Sequence, residues 1–165
     1  MRRIVIAPEK IELDGPVVFL AGPTRCPWHE VAMKHLRELD PTLHVASPKR
    51  PVDSEKDFDD AAYAEQVDWE THFLRRAGEK GVVLFWLARE LDHRCDRPHA
   101  QTTRFELGEW KERCRRDRTR LALGIEEGFT GGRYVRRRFG QDCPEVRIAT
   151  TLRDTCAEAA RLARC

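Results

Sequence analysis

One stretch of the sequence decides the fold: residues 81–110 read GVVLFWLARELDHRCDRPHAQTTRFELGEW. Its first part is an unbroken apolar run from Val82 to Leu87, which follows Gly81 and precedes a charged loop. Such a run is typical of a strand that a parallel sheet buries on both faces. Open α/β sheets bind ligands outside the carboxyl ends of their strands, so we expect the loop after Leu87 to border a site.

The second part of this stretch predicts the start of a helix. Thr103 and Glu106 have the spacing of a capping box, in which both side chains bond to otherwise unpaired backbone amides. The carboxylate then lies at the head of the helix, where amide donors and the helix dipole should hold it ionised. Glu106 is therefore a candidate for chemistry. The alternative is a glutamate that only caps the helix.

Outside this stretch, strand patterns alternate with helix patterns. Apolar runs predict a weak edge element in residues 4–13 and strands over residues 17–21, 43–46, 120–124 and 146–149. Helices are predicted over residues 28–39, 59–77 and 151–164, a short helix over 134–139, and a polar loop over 47–60. No repeat or linker divides the 165 residues. We expect one domain, residues 1–165, that forms a doubly wound three-layer α/β sandwich around a parallel sheet of about five strands.

The helix over residues 59–77 contains an acidic residue that needs an explanation. Its predicted sheet-facing residues recur at helical spacing and are Tyr63, Val67, Leu74 and Ala77. Glu70 falls on the same face, where burial would raise its pKa and suit it to carry a proton. In the alternative, the helix is rotated so that Trp69 or Phe73 faces the sheet and Glu70 lies at the edge.

Composition excludes several classes of function. The formal net charge is only +2, the arginine cluster in residues 113–120 has no interleaved aromatic residue, and no base-reading motif accompanies it or the cluster in residues 133–138, so no nucleic-acid partner is expected. No segment has the length and apolar character of a membrane span, and acidic residues interrupt the N-terminal segment too early for a signal peptide. We expect a cytoplasmic protein without a membrane partner.

The cysteines and histidines predict neither disulfides nor a metal site. The six cysteines are irregularly spaced and contain no CxxC pair, so reduced thiols are expected. His93, Cys95 and His99 share one loop, but they lack the paired spacing of zinc ligands. We therefore expect no metal, and no motif in the sequence predicts a cofactor.

Four segments carry a resemblance to a known family: VFLAGPTRCPW, YAEQVDWETHFL, GVVLFWLARE and TTRFELGEW, in this order. Over residues 17–124 the chain resembles the nucleoside 2-deoxyribosyltransferase family and the related hydrolases of nucleoside monophosphates. The resemblance implies a flavodoxin-like fold and a retaining mechanism, in which a glutamate attacks the anomeric carbon while a second acid handles the proton of the departing base. Glu106 matches the nucleophile, and Glu70 lies near the position of the second acid.

The resemblance also implies residues that line the substrate pocket. Gly22 and Pro23 match the glycine-containing turn after the first family strand. Trp28 and Trp69 look like tryptophans of one branch of the superfamily, either as core or as pocket wall. Three further residues are predicted to bind substrate: Arg25 as the partner of an anion, Tyr63 as a surface for the base, and Thr103 beside Glu106.

The sequence departs from the transferases at two points. Ala100 replaces the acid that many of them have six residues before the nucleophile, and the chain contains no asparagine, although transferases commonly place one in a neighbouring subunit's site. We expect cleavage of the N-glycosidic bond of a nucleoside or nucleotide through a glycosyl-Glu106 intermediate, with transfer of the (deoxy)ribosyl group to another base or to water. The alternatives are a hydrolase specific for NAD or a nucleoside monophosphate, and a non-catalytic nucleotide-binding or sensing domain. A homo-oligomer is compatible with the resemblance.

Overall fold

Strands and helices alternate along the chain in a computed structural model that describes residues 3–50 and 59–165. Residues 51–58, which belong to the predicted polar loop, lie outside the described residues. The elements are β1 Ile4–Ile6, β2 Val17–Ala21, α1 Trp28–Leu39, β3 His44–Ser47, α2 Asp60–Glu79, β4 Gly81–Leu87, α3 Gln101–Asp117, β5 Leu121–Ile125, α4 Gly132–Asp142, β6 Ile148–Ala149 and α5 Leu152–Ala163.

All strands pair in parallel in one sheet with the order β1-β3-β2-β4-β5-β6. Without β1, this is the doubly wound order of flavodoxin-like sheets. The weak edge element adds a sixth strand because Ile4 pairs with Val45 of β3. The predicted flavodoxin-like three-layer sandwich is therefore confirmed, with six strands instead of about five.

The central strand β4 separates two apolar layers. Val82, Leu84 and Trp86 pack with α1 and α5 on one face of the sheet. Val83, Phe85 and Leu87 pack with α2, α3 and α4 on the other face. Successive side chains of a strand point to opposite faces, so an apolar run of this kind has to be covered on both sides.

The helix α2 is rotated relative to the predicted orientation. Tyr63 and Val67, which the periodicity predicts to face the sheet, are 61% and 41% exposed. The buried residues of the helix are Gln66, Trp69, Phe73, Leu74 and Ala77. Two large rings occupy the sheet-facing side because they remove more apolar surface from water than Val67 would. The alternative with Trp69 and Phe73 inward is the correct one.

The short C-terminal elements follow the prediction with small changes. Helix α4 has 11 residues and is longer than the short helix predicted over residues 134–139, and β6 has only two residues. Thr151 caps α5 by accepting a hydrogen bond from the Asp154 amide. Among the helices of residues 3–50 and 59–165, none combines the length and the apolar character that crossing a bilayer requires.

Candidate active site

The sheet has a topological switch point between β2 and β4. These two strands are neighbours, and the chain leaves them in opposite directions: β2 continues through α1 to β3, whereas β4 continues through α3 to β5. The two connections therefore diverge beyond Ala21 and Leu87 and leave a crevice between them. A ligand site is expected at this edge of the sheet, and the two predicted acids lie on the helices that cover it.

Glu70 is held at this edge by a buried amide. Gln66 on α2 donates one hydrogen bond to the Pro48 carbonyl, which follows β3, at 2.9 Å and another to Glu70 Oε1 at 2.7 Å. Arg50 donates from Nε to Gln66 Oε1 at 2.6 Å. This chain of hydrogen bonds fixes the Glu70 carboxyl relative to the end of β3.

Partial burial dominates the electrostatics of Glu70. Desolvation raises the pKa of this carboxyl, whereas the hydrogen bond from Gln66 and the charge of Arg50 act in the opposite direction. The predicted rise is therefore confirmed. The hydrogen bond from Gln66 and the charge of Arg50 make Glu70 easier to ionise than burial alone would allow.

The start of α3 differs from the predicted capping box. The helix begins at Gln101 after Ala100, which has a left-handed conformation with φ of 55°, and no side chain caps it. Thr103 is a buried residue of the first turn, and Glu106 lies in the second turn. The capping-box prediction is wrong because the chain turns into the helix three residues earlier. His99 stabilises that turn by donating from Nε2 to the Ala88 carbonyl at 2.8 Å.

Arg104 connects the first turn of α3 to the loop after β5. Its Nη2 donates to the Thr130 carbonyl at 2.7 Å, and its Nε donates to the His99 carbonyl at 3.4 Å. The guanidinium group also lies over the ring of Phe129, 4.6 Å from the centroid. These contacts fix the end of α3 that carries Glu106.

Glu106 lies beyond the unpaired amides of the first turn of α3 and close to a second acid, Glu70. Burial raises its pKa to about 8, and the negative charges of Glu70 and then Glu109 add to the effect. The prediction that the helix terminus holds Glu106 ionised is therefore wrong. The charge of Glu70 acts on Glu106, so the two carboxyl groups are close enough to interact electrostatically, and Glu106 tends to retain its proton near neutral pH.

The predicted glycine turn is filled by the protein itself. A Cβ atom at Gly22 would lie 2.4 Å from the Trp86 carbonyl oxygen and 2.6 Å from the Trp28 ring. Trp28 is 5% exposed, and its Nε1 donates to the carbonyl of Pro23, which is also buried, at 2.9 Å. Gly22 is thus required for the packing of Trp28, which is a core residue.

The other predicted binding residues fall into two groups. Trp69 is fully buried, and its Nε1 donates to the Glu9 carbonyl at 2.6 Å, so it is also core. Tyr63 is exposed on α2, two turns before Glu70 and on the same side of the helix. Arg25 is exposed in the loop after β2, and its charge acts on the Asp96 carboxylate across the edge of the sheet. These two side chains remain candidates for contact with a ligand.

Buried polar groups near the same edge were not found from the sequence. His29 in the first turn of α1 is fully buried, and among the described residues neither ring nitrogen has a hydrogen-bond partner. Burial, and then the charge of Lys49, lowers the pKa of His29 to about 3, so the ring is neutral. Ser47 Oγ, at the end of β3, likewise has no partner within the described part of the chain. Unpaired buried polar groups at a ligand-binding edge are available for contact with a bound molecule.

A groove of about 510 Å³ lies elsewhere, between α2 and the segment before β2. Its lining is mostly charged and includes His72, Arg75 and Arg76 but neither Glu70 nor Glu106. Arg76 has a structural role there, since its Nη2 donates to the carbonyls of Leu13 and Gly15 at 2.7 and 3.1 Å. The groove therefore differs from the candidate site, which the coupled carboxyl groups define.

Together, the strand order and this carboxyl pair define a flavodoxin-like α/β protein with an acidic site on the helices at its switch point. No family profile and no curated protein matches the sequence. Among solved structures, the chain is similar to a conserved protein from Enterococcus faecalis V583, with 11% sequence identity and a TM-score of 0.52. The similarity covers 89% of this chain and 98% of that one, and it concerns the fold.

Proposed function

We propose that the protein cleaves the N-glycosidic bond of a nucleoside or nucleotide with Glu106 as nucleophile and Glu70 as proton carrier. The observation that supports this most is the coupling of two partly buried carboxyl groups on α2 and α3, with raised pKa values. Burying two acids side by side is unfavourable for folding, and such pairs are typical of sites that need an acid and an anion together. Enzymes that cleave glycosidic bonds use such a pair.

In the resting pair the more strongly raised pKa of Glu106 keeps the proton on that residue, so the proposed reaction begins when this proton passes to Glu70 and leaves the negative charge on Glu106. Glu70 gives its proton to the departing base while the C–N bond breaks, and a Glu106 carboxylate oxygen bonds to the anomeric carbon. Water or a second base then attacks that carbon, releases Glu106 as a carboxylate and returns a proton to Glu70. Two successive displacements at one carbon retain its configuration.

The coupled pair predicts a particular pH dependence. The singly protonated pair contains both an acid and an anion, whereas the fully protonated and fully ionised forms each lack one of them. Activity should follow a bell-shaped profile. Its alkaline limb is expected near the raised Glu106 value of about 8, and its acid limb above the ordinary glutamate value of 4.5.

The acceptor can be identified by incubating the protein with one nucleoside, or its 5′-phosphate, and a different free base. Formation of a new nucleoside marks a transferase, and release of free sugar or sugar phosphate marks a hydrolase. Rapid acid quenching followed by mass spectrometry should find the glycosyl group on the peptide that contains Glu106. Intact substrates with saturable binding would contradict the proposal and favour a sensing domain.

Variants separate catalysis from folding. Glu106→Gln should keep the fold and lower kcat/KM at least about a hundredfold, because a nucleophile contributes several kcal/mol to the barrier. Glu70→Gln should slow turnover and move the pH profile. The matched control is Glu79→Gln at the C-terminal end of α2. The carboxyl of Glu79 is exposed, so this substitution should leave both the rate and the pH profile unchanged. Wild-type rates in Glu106→Gln would remove the mechanism.

A further inference from the structure

A cluster of potential metal ligands lies away from the carboxyl pair. Cys114, Cys143 and Glu145 each offer one ligand atom, and the three atoms lie within 4.8 Å of one another. Among residues 3–50 and 59–165, no other group of three acidic, histidine or cysteine side chains meets this criterion. The cysteines are 29 positions apart in the sequence, so no local spacing motif marks them.

The fold brings these residues together from two elements. Cys114 lies in the last turn of α3 and is 5% exposed. Cys143 follows α4, where its amide donates to the Phe139 carbonyl at 2.8 Å, and its side chain is fully buried. A tight turn then closes as the Val146 amide donates to the Cys143 carbonyl at 3.0 Å, with Pro144 as its second residue. This turn brings the exposed Glu145 back to the two thiols.

We propose that Cys114, Cys143 and Glu145 bind a thiophilic divalent cation such as Zn²⁺. Two thiolates on one tetrahedral zinc ion lie about 3.8 Å apart, as zinc–sulfur distances of about 2.3 Å require. The ligand atoms lie within 4.8 Å of one another, so the two sulfur atoms need to approach by no more than about 1 Å to reach this geometry. Two sulfur ligands and one oxygen ligand form a donor set that favours zinc over magnesium or calcium. The exposed position of Glu145 gives an ion a route from solvent.

The surroundings stabilise such a site. The three ligands, when ionised, exceed the charge of a divalent cation by one negative charge. Lys111 lies beside Cys143: its carbonyl accepts a hydrogen bond from the protonated Cys143 Sγ at 3.6 Å, which metal binding would replace by the metal–sulfur bond, and its ammonium group pairs with Asp142. The ion pair of Lys111 with Asp142 fixes the segment that precedes Cys143. Outer contacts of this kind orient the ligands of metal sites.

Zinc titration of the full-length, reduced protein tests the proposal, with a chromophoric chelator as competitor. We expect one equivalent of Zn²⁺ to bind tightly and Co²⁺ in its place to give thiolate-to-cobalt charge-transfer absorption. Zinc should also raise the melting temperature in proportion to the logarithm of its concentration, because only the folded chain has the assembled site. Failure of the wild-type protein to bind, or cobalt spectra without thiolate absorption, would overturn the proposal.

Variants locate the ion. Glu145→Gln changes an exposed residue and should fold, yet affinity should fall more than about tenfold, the loss that even an outer partner of a ligand can cause. Cys143→Ser should abolish the thiolate absorption. Cys95→Ser and Cys165→Ser remove exposed thiols and serve as controls that keep the site. Loss of binding in Cys95→Ser with retention in Glu145→Gln would assign the ion to the loop with His93 and refute the proposal.

Discussion

Replacing Glu106 with glutamine should stabilise the protein at alkaline pH and leave its stability almost unchanged at about pH 4, below the ordinary pKa of the carboxyl. The folded protein binds the Glu106 proton more tightly than the unfolded chain, since the pKa rises from 4.5 to about 8 on folding. The free energy of unfolding therefore falls as the pH rises through this range. Below it, the carboxyl is protonated in both states and resembles the glutamine of the variant.

The size of the effect follows from the same values. A difference of about 3.5 pH units at about 1.4 kcal/mol per unit sets a ceiling of about 5 kcal/mol for the cost of ionising Glu106. Glu106 is only partly buried, and water and relaxation reduce this cost, so we expect about 2–4 kcal/mol at pH 8.5. For a chain of this length, that corresponds to a rise in melting temperature of about 5–15 °C.

Thermal unfolding followed by circular dichroism at about pH 4 and about pH 8.5 measures this difference. The matched control is Glu79→Gln, which makes the same chemical change at an exposed position. Its melting temperature should follow that of the wild type at both pH values. A Glu106→Gln variant that is no more stable than wild type at pH 8.5 would refute the electrostatic reasoning, whatever the activity of the protein.

Four further substitutions test local interactions, with Gly140→Ala as the comparison for Gly22→Ala. Gly22→Ala should destabilise the protein by about 1–3 kcal/mol in denaturant unfolding because the added Cβ overlaps backbone and ring atoms. Gly140→Ala, in open space on α4, should instead stabilise it by about 0.5–1 kcal/mol. A Gly22→Ala variant more stable than the Gly140→Ala variant would contradict the packing account. Gln66→Leu removes the donor to Glu70 and should raise the pKa of that carboxyl further in an NMR titration; an unchanged value would show that the amide has no effect. Thr151→Ala should cost about 1 kcal/mol as the cap of α5 is lost, and no change in stability would contradict the capping role.

The periodicity of apolar residues was sufficient to predict the three layers of the fold and most boundaries of its helices and strands. The apolar run of β4 and the limits of α1 follow directly from the sequence, because burial on both faces and a proline stop leave few alternatives. The rotation of α2 was harder to predict. Val67 and Trp69 both fit a helical face, and only the space above the sheet decides in favour of the larger rings.

The positions of the two acidic residues in the candidate site were predicted better than the ionisation state of Glu106. Glu70 and Glu106 do lie on neighbouring helices at the switch point, but the ionisation state of Glu106 depends on where α3 begins. A local pattern at Thr103 favoured a cap, whereas the contact between His99 and the Ala88 carbonyl starts the helix earlier. That contact joins residues 11 positions apart, which a pattern of four residues cannot reveal.

Arg104 joins the helix that carries Glu106 to the loop that contains Thr130, so we expect the two to move together. A displacement of that loop would reach the acid through the guanidinium group without passing through the sheet. Phe129 itself belongs to the core, but substitution of the exposed Thr130 should alter how Glu106 is oriented while leaving the melting temperature almost unchanged. Changes at the exposed positions of this loop would therefore reach the two carboxyl groups without disturbing the core.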